Sequence, residues 1–218
     1  MRLKLILFFF IIILISVSIY IIFITNKKIN TNDKEYIIQN IKEKILSSNI
    51  DAYYPLTKHI NLNNNIKKFI NNQIYKFKKE IENNKEYKMD INFDYYETDT
   101  HISVVFNTFI DLILAHPMTY INTINYNKIN SKVETIQDYI KKDKQFLNKI
   151  SILTYNELIK KEIYKDIFLA KYMKNELYNN KDIYNNYVKT KNGFIFIFEQ
   201  YKIAPYSYGQ IYSNVIYP

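Results

Sequence analysis

An uncharged apolar run near the N-terminus constrains this chain most. Residues 5–24 read LILFFFIIILISVSIYIIFI, and no position among them carries a charge. A helix rises about 1.5 Å per residue, so a run of this length crosses a hydrocarbon core of about 30 Å. A buried helix of a soluble protein would show a polar stripe, and this run has none. We therefore predict a transmembrane signal-anchor at residues 5–25 that lies in the lipid bilayer.

The flanks of this run bear on cleavage and orientation. A cleaved signal peptide is the main alternative, but its apolar region spans about 7 to 15 residues and ends at a small-residue site. Here the run continues into Thr25, Asn26 and two lysines. Basic residues lie on both sides, so the positive-inside bias is weak. We predict a cytoplasmic stub at residues 1–4, a tether at 26–35 and an extracytoplasmic domain beyond it, at the cell surface or in the periplasm.

The composition is that of a folded protein with a basic surface. Hydrophobic residues make up 48% of the chain and aromatic residues 17%, which is too apolar for a disordered chain. The formal charge of +9 would suit nucleic acid, anionic lipid or cell-wall polymer. However, the lysines occur in pairs followed by aliphatic residues at helical spacing, which favours solvated helix faces and predicts no nucleic-acid partner. The absence of cysteine excludes disulfides and thiolate sites and leaves the compartment open.

Apolar periodicity in the first half predicts both helix and strand. Residues 88–96 alternate apolar and polar side chains, which indicates a half-buried strand. Residues 49–54 read as a strand that Pro55 ends, while residues 36–46 fit a helix or a strand equally well. Residues 63–84 predict an amphipathic helix of about five turns, because apolar side chains recur every three or four positions: Leu62, Ile66, Phe69, Ile70, Ile74, Phe77 and Ile81.

The second half predicts further strands around a helical middle. Residues 102–115 and 120–128 extend the strand at 88–96 into an antiparallel meander. Residues 133–178 are expected to contain at least two helices. Asn192 and Gly193 suit a tight hairpin turn, and this turn leads into FIFIFEQYKI, which reads as a central strand. The predicted fold class is α+β, an antiparallel sheet packed with helices, preceded by one transmembrane helix.

Catalytic and metal-binding patterns are missing from the sequence. His59, His101 and His116 stand alone, with no acidic residue four positions on. No nucleophile elbow or glycine-rich phosphate loop is present, since the chain has two glycines. Three carboxylates in the predicted sheet could form an acid/base pair, but solvent exposure on an alternating strand explains them better: Asp90, Asp94 and Asp111. We predict no catalytic residues, no metal and no cofactor.

Two segments of the C-terminal half carry a pattern that resembles a known family. The first, DLILAHPMTYINTINYN, contains Ala115, His116 and Pro117. The second reads YKIAPYSYG, residues 201–209. Their order and spacing resemble the RsiV-like family, domain of unknown function 3298. Residues 49–77 are also similar to the module that commonly precedes it, so the resemblance predicts an N-terminal module at 36–96 and an RsiV-like module at 97–218.

The resemblance implies a non-catalytic domain of the bacterial cell envelope. Relatives in this family include an anti-sigma factor whose outer domain binds lysozyme and a deacetylase of peptidoglycan. The predicted stub of four residues is too short for a sigma-binding segment, and no deacetylase domain follows in the sequence up to Pro218. The resemblance therefore implies neither of these two activities for this chain. The expected partners beyond the bilayer are lysozyme, peptidoglycan or another envelope protein. The alternatives are an accessory subunit of a membrane protein complex and a hydrolase with an unrecognised site.

The motif residues have structural interpretations as well as a binding one. Pro205 is expected to end the preceding strand, and Gly209 to permit a turn. The tyrosines are expected to pack their rings, and His116 to be a hydrogen-bonded residue near a strand end. Leu112, Ile113 and Leu114 replace the family's glycine-rich stretch, which weakens the case for a binding loop there. The predicted binding residues are His116, Pro117, Tyr201, Pro205, Tyr206, Tyr208 and Gly209.

Overall fold

The computed structural model describes residues 35–83, 85–113 and 116–217. The predicted stub and anchor, and all of the tether except Glu35, lie outside these ranges. Within them, no helix combines the length and the apolarity needed to cross a bilayer. From residue 36 onward the chain forms one compact unit.

A six-stranded sheet, called here the large sheet, occupies the first part of this unit. Its strands follow the chain in the order β1-β2-β3-β4-β5-β6. Neighbouring strands are antiparallel except β2 and β3, which are parallel because helix α1 connects them. The elements are β1 Tyr36–Ile45, β2 Ser48–Thr57, α1 Ile60–Glu80, β3 Lys88–Glu97, β4 His101–Asp111, β5 Met118–Asn127 and β6 Lys132–Glu134.

Helix α1 covers one face of the large sheet, as its periodicity predicted. It begins three residues before the predicted helix and ends four residues earlier. Its apolar stripe is buried against alternate residues of β3 and β4, among them Ile91 and Phe106. Burying this stripe removes it from water, which is the main favourable term in folding. The stripe consists of Leu62, Ile66, Ile70, Ile74 and Phe77.

Two expectations for the first strands change with the structure. Residues 36–46, which fitted either a helix or a strand, form β1. The prediction that Pro55 ends a strand is wrong, since Pro55 lies inside β2 and pairs with Ile38. The pairing of β2 with β3 stops at Ala52. Beyond that point β2 has a sheet neighbour on one side only, which is where a sheet tolerates proline.

The second part contains a three-stranded antiparallel sheet, called here the small sheet, in the order β7-β8-β9. The predicted central strand is β8, although it ends at Phe198 rather than Ile203. Strand β9 was not predicted, and Val133 lies in β6 rather than in a helix. The elements are α2 Ile136–Lys142, α3 Phe146–Leu158, α4 Ile167–Asn179, β7 Tyr187–Thr190, β8 Gly193–Phe198 and β9 Ile211–Ile216, with 3-10 turns at Glu162–Lys165, Lys181–Tyr184 and Tyr206–Tyr208.

The described residues stack in four layers. The small sheet packs on the face of the large sheet opposite α1, through Val105 and Ile121 on one side and Val188 and Ile197 on the other. Its second face carries an aromatic core with the three helices, which includes Phe196. The observed fold is therefore α+β, with antiparallel-rich sheets packed by helices, as predicted.

The hairpin between β7 and β8 shows why Gly193 is required. Thr190 pairs with Gly193, so Lys191 and Asn192 form the two-residue loop rather than Asn192 and Gly193. A Cβ at position 193 would lie 2.0 Å from the carbonyl oxygen of Val215 in β9. Glycine at this position permits the close approach of two strands.

Candidate binding site

Three rings from the two motif segments lie together on the surface. The ring centroids of His116 and Tyr206 are 4.8 Å apart, and those of Tyr206 and Tyr201 are 5.5 Å apart. Both pairs are tilted by 34°. We call His116, Tyr206 and Tyr201 the aromatic platform. Segments about eighty-five residues apart in the chain thus form one surface. The family resemblance rests on the order and spacing of these same two segments.

His116 lies in the connection between β4 and β5 and not at a strand end. The predicted strand at 102–115 stops at Asp111, and Ala115 lies outside the described residues. His116 is exposed, and its Nδ1 lies 3.1 Å from the carbonyl oxygen of Pro117, its neighbour in the chain. Since that oxygen only accepts, Nδ1 of His116 is the donor of this hydrogen bond. Pro117 itself is exposed beside the platform.

Tyr201 adopts a backbone conformation that aromatic residues rarely use. Its φ is 65°, and its side chain is 60% exposed. The hydroxyl of Tyr172 donates a hydrogen bond of 3.0 Å to the carbonyl oxygen of Tyr201 and holds this strained position. Strain of this kind clusters at ligand sites, because surrounding structure must stabilise it. The packing role expected for this tyrosine does not match its exposure.

The remaining motif residues shape the turn after the platform. Pro205 precedes the 3-10 turn Tyr206–Tyr208 and lies seven residues after the end of β8 at Phe198, so the prediction that Pro205 ends that strand is wrong. Gly209 has a φ of 65°, and a Cβ there would meet no atom within 4 Å. Its role is therefore conformational. Tyr208 is 47% exposed and follows the platform residue Tyr206 by two positions in the sequence.

Residues that are close in sequence to the platform residues line a cleft of about 750 Å³. Met118 and Lys202, which follow His116 and Tyr201 closely, both line it. Apolar walls come from Phe77 of α1 and Ile197 of β8, and charged side chains of both signs line it too. Ligand pockets in proteins combine apolar walls with a few polar groups in this way.

A second polar cluster lies buried where β4, β6 and α2 meet, and sequence patterns did not predict it. The Glu134 side chain is 6% exposed, and its Oε2 lies 3.2 Å from Nε2 of His101, whose side chain is 10% exposed. The hydroxyl of Tyr139 donates to the same oxygen at 3.1 Å. Lys142 and Asn127 donate to Oε1, each at 3.2 Å. We call these five residues the Glu134 hub.

Hydrogen bonds in the hub stabilise the charged form of the Glu134 carboxyl. Burial alone would raise the pKa of the Glu134 carboxyl, but the hydrogen bonds, that of His101 first, lower this pKa from its ordinary 4.5 to about 2. Burial lowers the pKa of His101 below its ordinary 6.5, against the opposing effect of Glu134. Burial, then the charge of Glu134, raises the pKa of Tyr139. A satisfied and nearly closed cluster of this kind is a structural element.

The three carboxylates considered for acid/base chemistry each have a partner of their own. Asp90 pairs with Lys88, while Asp94 accepts a hydrogen bond of 3.2 Å from Asn107. Asp111 accepts one of 2.9 Å from the main-chain N–H of Ile113. In the part of the chain that the structure describes, no three histidine or carboxylate side chains converge as a metal site would require.

This chain is similar to one protein family and to one characterised relative. The family model DUF3298, described as a protein of unknown function, matches residues 113–217. Over 132 residues the chain is 30% identical to peptidoglycan-N-acetylmuramic acid deacetylase PdaC of Bacillus subtilis strain 168, which covers 56% of this chain and 28% of the deacetylase. The match therefore spans less than a third of that relative. The predicted resemblance to the family of domain of unknown function 3298 is confirmed, while the N-terminal module at residues 36–96 stays a prediction.

Two solved structures share the fold. A DUF3298 family protein from Pseudomonas aeruginosa PAO1 superposes with a TM-score of 0.64 at 16% identity, covering 85% of this chain and 93% of that one. A family member from Bacteroides fragilis NCTC 9343 gives a TM-score of 0.56 at 13% identity, covering 84% and 90%. At these identities the likeness concerns the fold alone.

Proposed function

We propose that this chain, whose residues 113–217 match the DUF3298 family model, is a membrane-anchored binding module of the bacterial cell envelope that catalyses no reaction itself. The observation that carries the proposal is the aromatic platform. Two segments that are distant in sequence place three rings on the surface, and one of them, Tyr201, is held in a strained conformation. Exposed rings with polar edges are typical of recognition surfaces.

The chemistry of the platform suits binding better than catalysis. His116 has a hydrogen-bonded neighbour in Pro117 but no carboxylate partner among the described residues that would orient it as a base. The histidine–carboxylate pair of His101 and Glu134 is buried in the hub, and neither residue lines the cleft of about 750 Å³. These features favour a non-catalytic role over a hydrolase.

The name of the Bacillus subtilis relative makes peptidoglycan the first ligand to test, and the family resemblance makes lysozyme the second. The full-length chain, purified in detergent and immobilised, is incubated with isolated peptidoglycan and separately with lysozyme. We expect binding to peptidoglycan and a loss of at least about tenfold in affinity for His116→Ala and Tyr206→Ala, because each removes a ring from the platform.

Tyr212→Ala is the matched control, since Tyr212 is 47% exposed on β9 and lies outside the platform. The proposal fails if the chain binds neither ligand. It also fails if the platform variants bind as well as Tyr212→Ala. Binding that needs a second membrane protein, with no response to either ligand, would instead favour the accessory-subunit alternative.

Anchoring and orientation are separate parts of the proposal. The apolar run at residues 5–24 supports them, together with the deacetylase relative, whose name places its substrate in the cell wall. Protease treatment of intact cells should remove the C-terminal domain while cytoplasmic proteins stay intact. Protection of the domain until the cells are lysed would contradict this orientation.

A further inference from the structure

Strand β6 covers only part of the edge that β5 offers in the large sheet. Strand β6 pairs with residues 125–127 of β5 and no further. Along residues 118–122, β5 has β4 on one side and, in the described part of the chain, no strand on the other. Beyond this stretch, Asn185 and Tyr187 hydrogen-bond to the hydroxyl of Thr123. An open strand edge presents main-chain donors and acceptors that another strand can pair with.

Two side chains occupy the open edge at Ile121. Its N–H donates a hydrogen bond of 2.7 Å to Oε1 of Glu199, and its carbonyl oxygen accepts one of 2.8 Å from Nδ2 of Asn186. The direction of main-chain groups alternates along an antiparallel pair, so those of Thr119 point to the same side as those of Ile121. Glu199 and Asn186 thus make the two bonds that a neighbouring strand would make.

The cleft lies along this edge. Met118, Ile121 and Asn122 of β5 line it, and so do Glu199 and Asn186. One wall is α1, which contributes Phe77, and the other is formed by Ile183 and Ile197 from the small-sheet side. The space between the layer of α1 and that of the small sheet is where the next strand of the large sheet would lie.

We propose that this edge binds an extended peptide segment of a partner protein, which adds to the large sheet as a strand beside β5. The peptide replaces Glu199 and Asn186 at Ile121 and pairs with Thr119. About five residues, or roughly 16 Å of extended chain, fit along the edge. Main-chain hydrogen bonds supply affinity in this mode, while alternate side chains enter flanking pockets. The wall at Phe77 selects an apolar side chain at one of these positions.

The inference goes beyond the proposed function because none of the three platform residues lines the cleft. The platform recognises its ligand by ring faces, whereas this edge recognises a peptide main chain. Strand β1, the opposite edge of the large sheet, serves as an internal comparison.

The test starts from a phage-displayed library of random linear peptides selected on the detergent-purified full-length chain. The affinity of an enriched synthetic peptide is then compared between Thr119→Pro and Thr119→Val. Proline removes the N–H of Thr119, which points away from β4, and leaves the hydrogen bonds between β5 and β4 in place, whereas valine keeps the N–H. We expect Thr119→Pro to weaken binding about tenfold or more relative to Thr119→Val.

Amide hydrogen exchange of the unmodified chain gives a second readout that needs no variant. The peptide should slow exchange at Thr119 and leave the amides of β1 unchanged. Failure to enrich any peptide over the detergent-only control would overturn the inference. So would equal affinities of the two variants combined with unchanged exchange at Thr119. Neither result bears on binding of peptidoglycan or lysozyme at the platform.

Discussion

The Glu134 hub and the aromatic platform combine similar residues with opposite surroundings. Each joins a histidine to tyrosine from distant segments. In the hub, His101 and Glu134 are almost fully buried, and the other four hub residues all hydrogen-bond to the Glu134 carboxylate. In the platform, His116 and Tyr201 are exposed.

This difference decides which cluster stabilises the fold and which one is available to a ligand. A buried charge is tolerated only with its partners, so removing one partner leaves the others unsatisfied. An exposed ring contributes little to stability, and its removal is felt mainly in binding. Histidine and tyrosine therefore indicate function only when burial and hydrogen bonding are known.

The largest expected effect concerns the hub. Glu134→Ala leaves His101, Tyr139 and Asn127 without their shared acceptor in a buried site, so we expect a loss of about 3 kcal/mol or more in the free energy of unfolding. Urea unfolding followed by circular dichroism measures it. Glu162→Ala is the control, because its ion pair with Lys165 is exposed and should change stability by less than about 0.5 kcal/mol. Equal effects of the two substitutions would remove the distinction between hub and surface.

The pH dependence of stability sharpens the same point. The folded-state pKa values of His101 and Glu134 both lie below their ordinary values. A lowered pKa contributes stability at high pH that is lost as the pH falls. Stability should therefore decrease as the pH falls through 6.5, and again from 4.5 toward about 2, where Glu134 becomes protonated. Midpoints of urea unfolding across this range should fall less steeply below pH 4.5 in Glu134→Gln, and an unchanged slope would exclude Glu134 as the cause.

A smaller effect on stability is expected in the platform. Tyr201→Gly removes a ring but relieves a positive φ, so we expect the free energy of unfolding to change by no more than about 1 kcal/mol. Affinity for the platform ligand should nevertheless fall at least about tenfold. Binding assays and urea unfolding on the same preparation separate the two effects. Loss of folding without a specific loss of binding would give Tyr201 a structural role.

The smallest effect is expected at Gly209. Its neighbourhood is open, so Gly209→Ala introduces only the backbone penalty of a positive φ, about 1 kcal/mol. Gly193→Ala is the informative contrast, since its Cβ would collide with the main chain of β9 and should cost more stability than Gly209→Ala. Comparable losses at the two glycines would show that the turn at Gly209 is packed more tightly than described.

The sequence predicted what depends on local periodicity. The alternation at residues 88–96 and the stripe of α1 identified β3 and the helix, because burial of one face imposes those periods. Strand β9 was missed, since its six residues lie between a tyrosine-rich turn and the chain end. The position of Pro55 inside β2 depends on where pairing with β3 stops, which is a tertiary property.

The platform and the hub also differ in how far the sequence indicated them. Family resemblance pointed to His116, Tyr201 and Tyr206 but not to their mutual contact or exposure. The hub gave no signal, because His101 and Glu134 lie thirty-three residues apart and meet only after β4 and β6 join the sheet. No local pattern shows that a lone histidine has found a carboxylate.

The three histidine rings allow the central claim to be tested in one measurement. In ¹⁵N-labelled full-length chain, the side-chain resonances of His59, His101 and His116 are followed by NMR during titration with soluble peptidoglycan fragments and, separately, with lysozyme. We predict that the resonances of His116 shift on binding, while those of His101 in the hub stay in place. Saturating ligand that moves His101 and leaves His116 unchanged would contradict the assignment of binding to the platform and of stability to the hub.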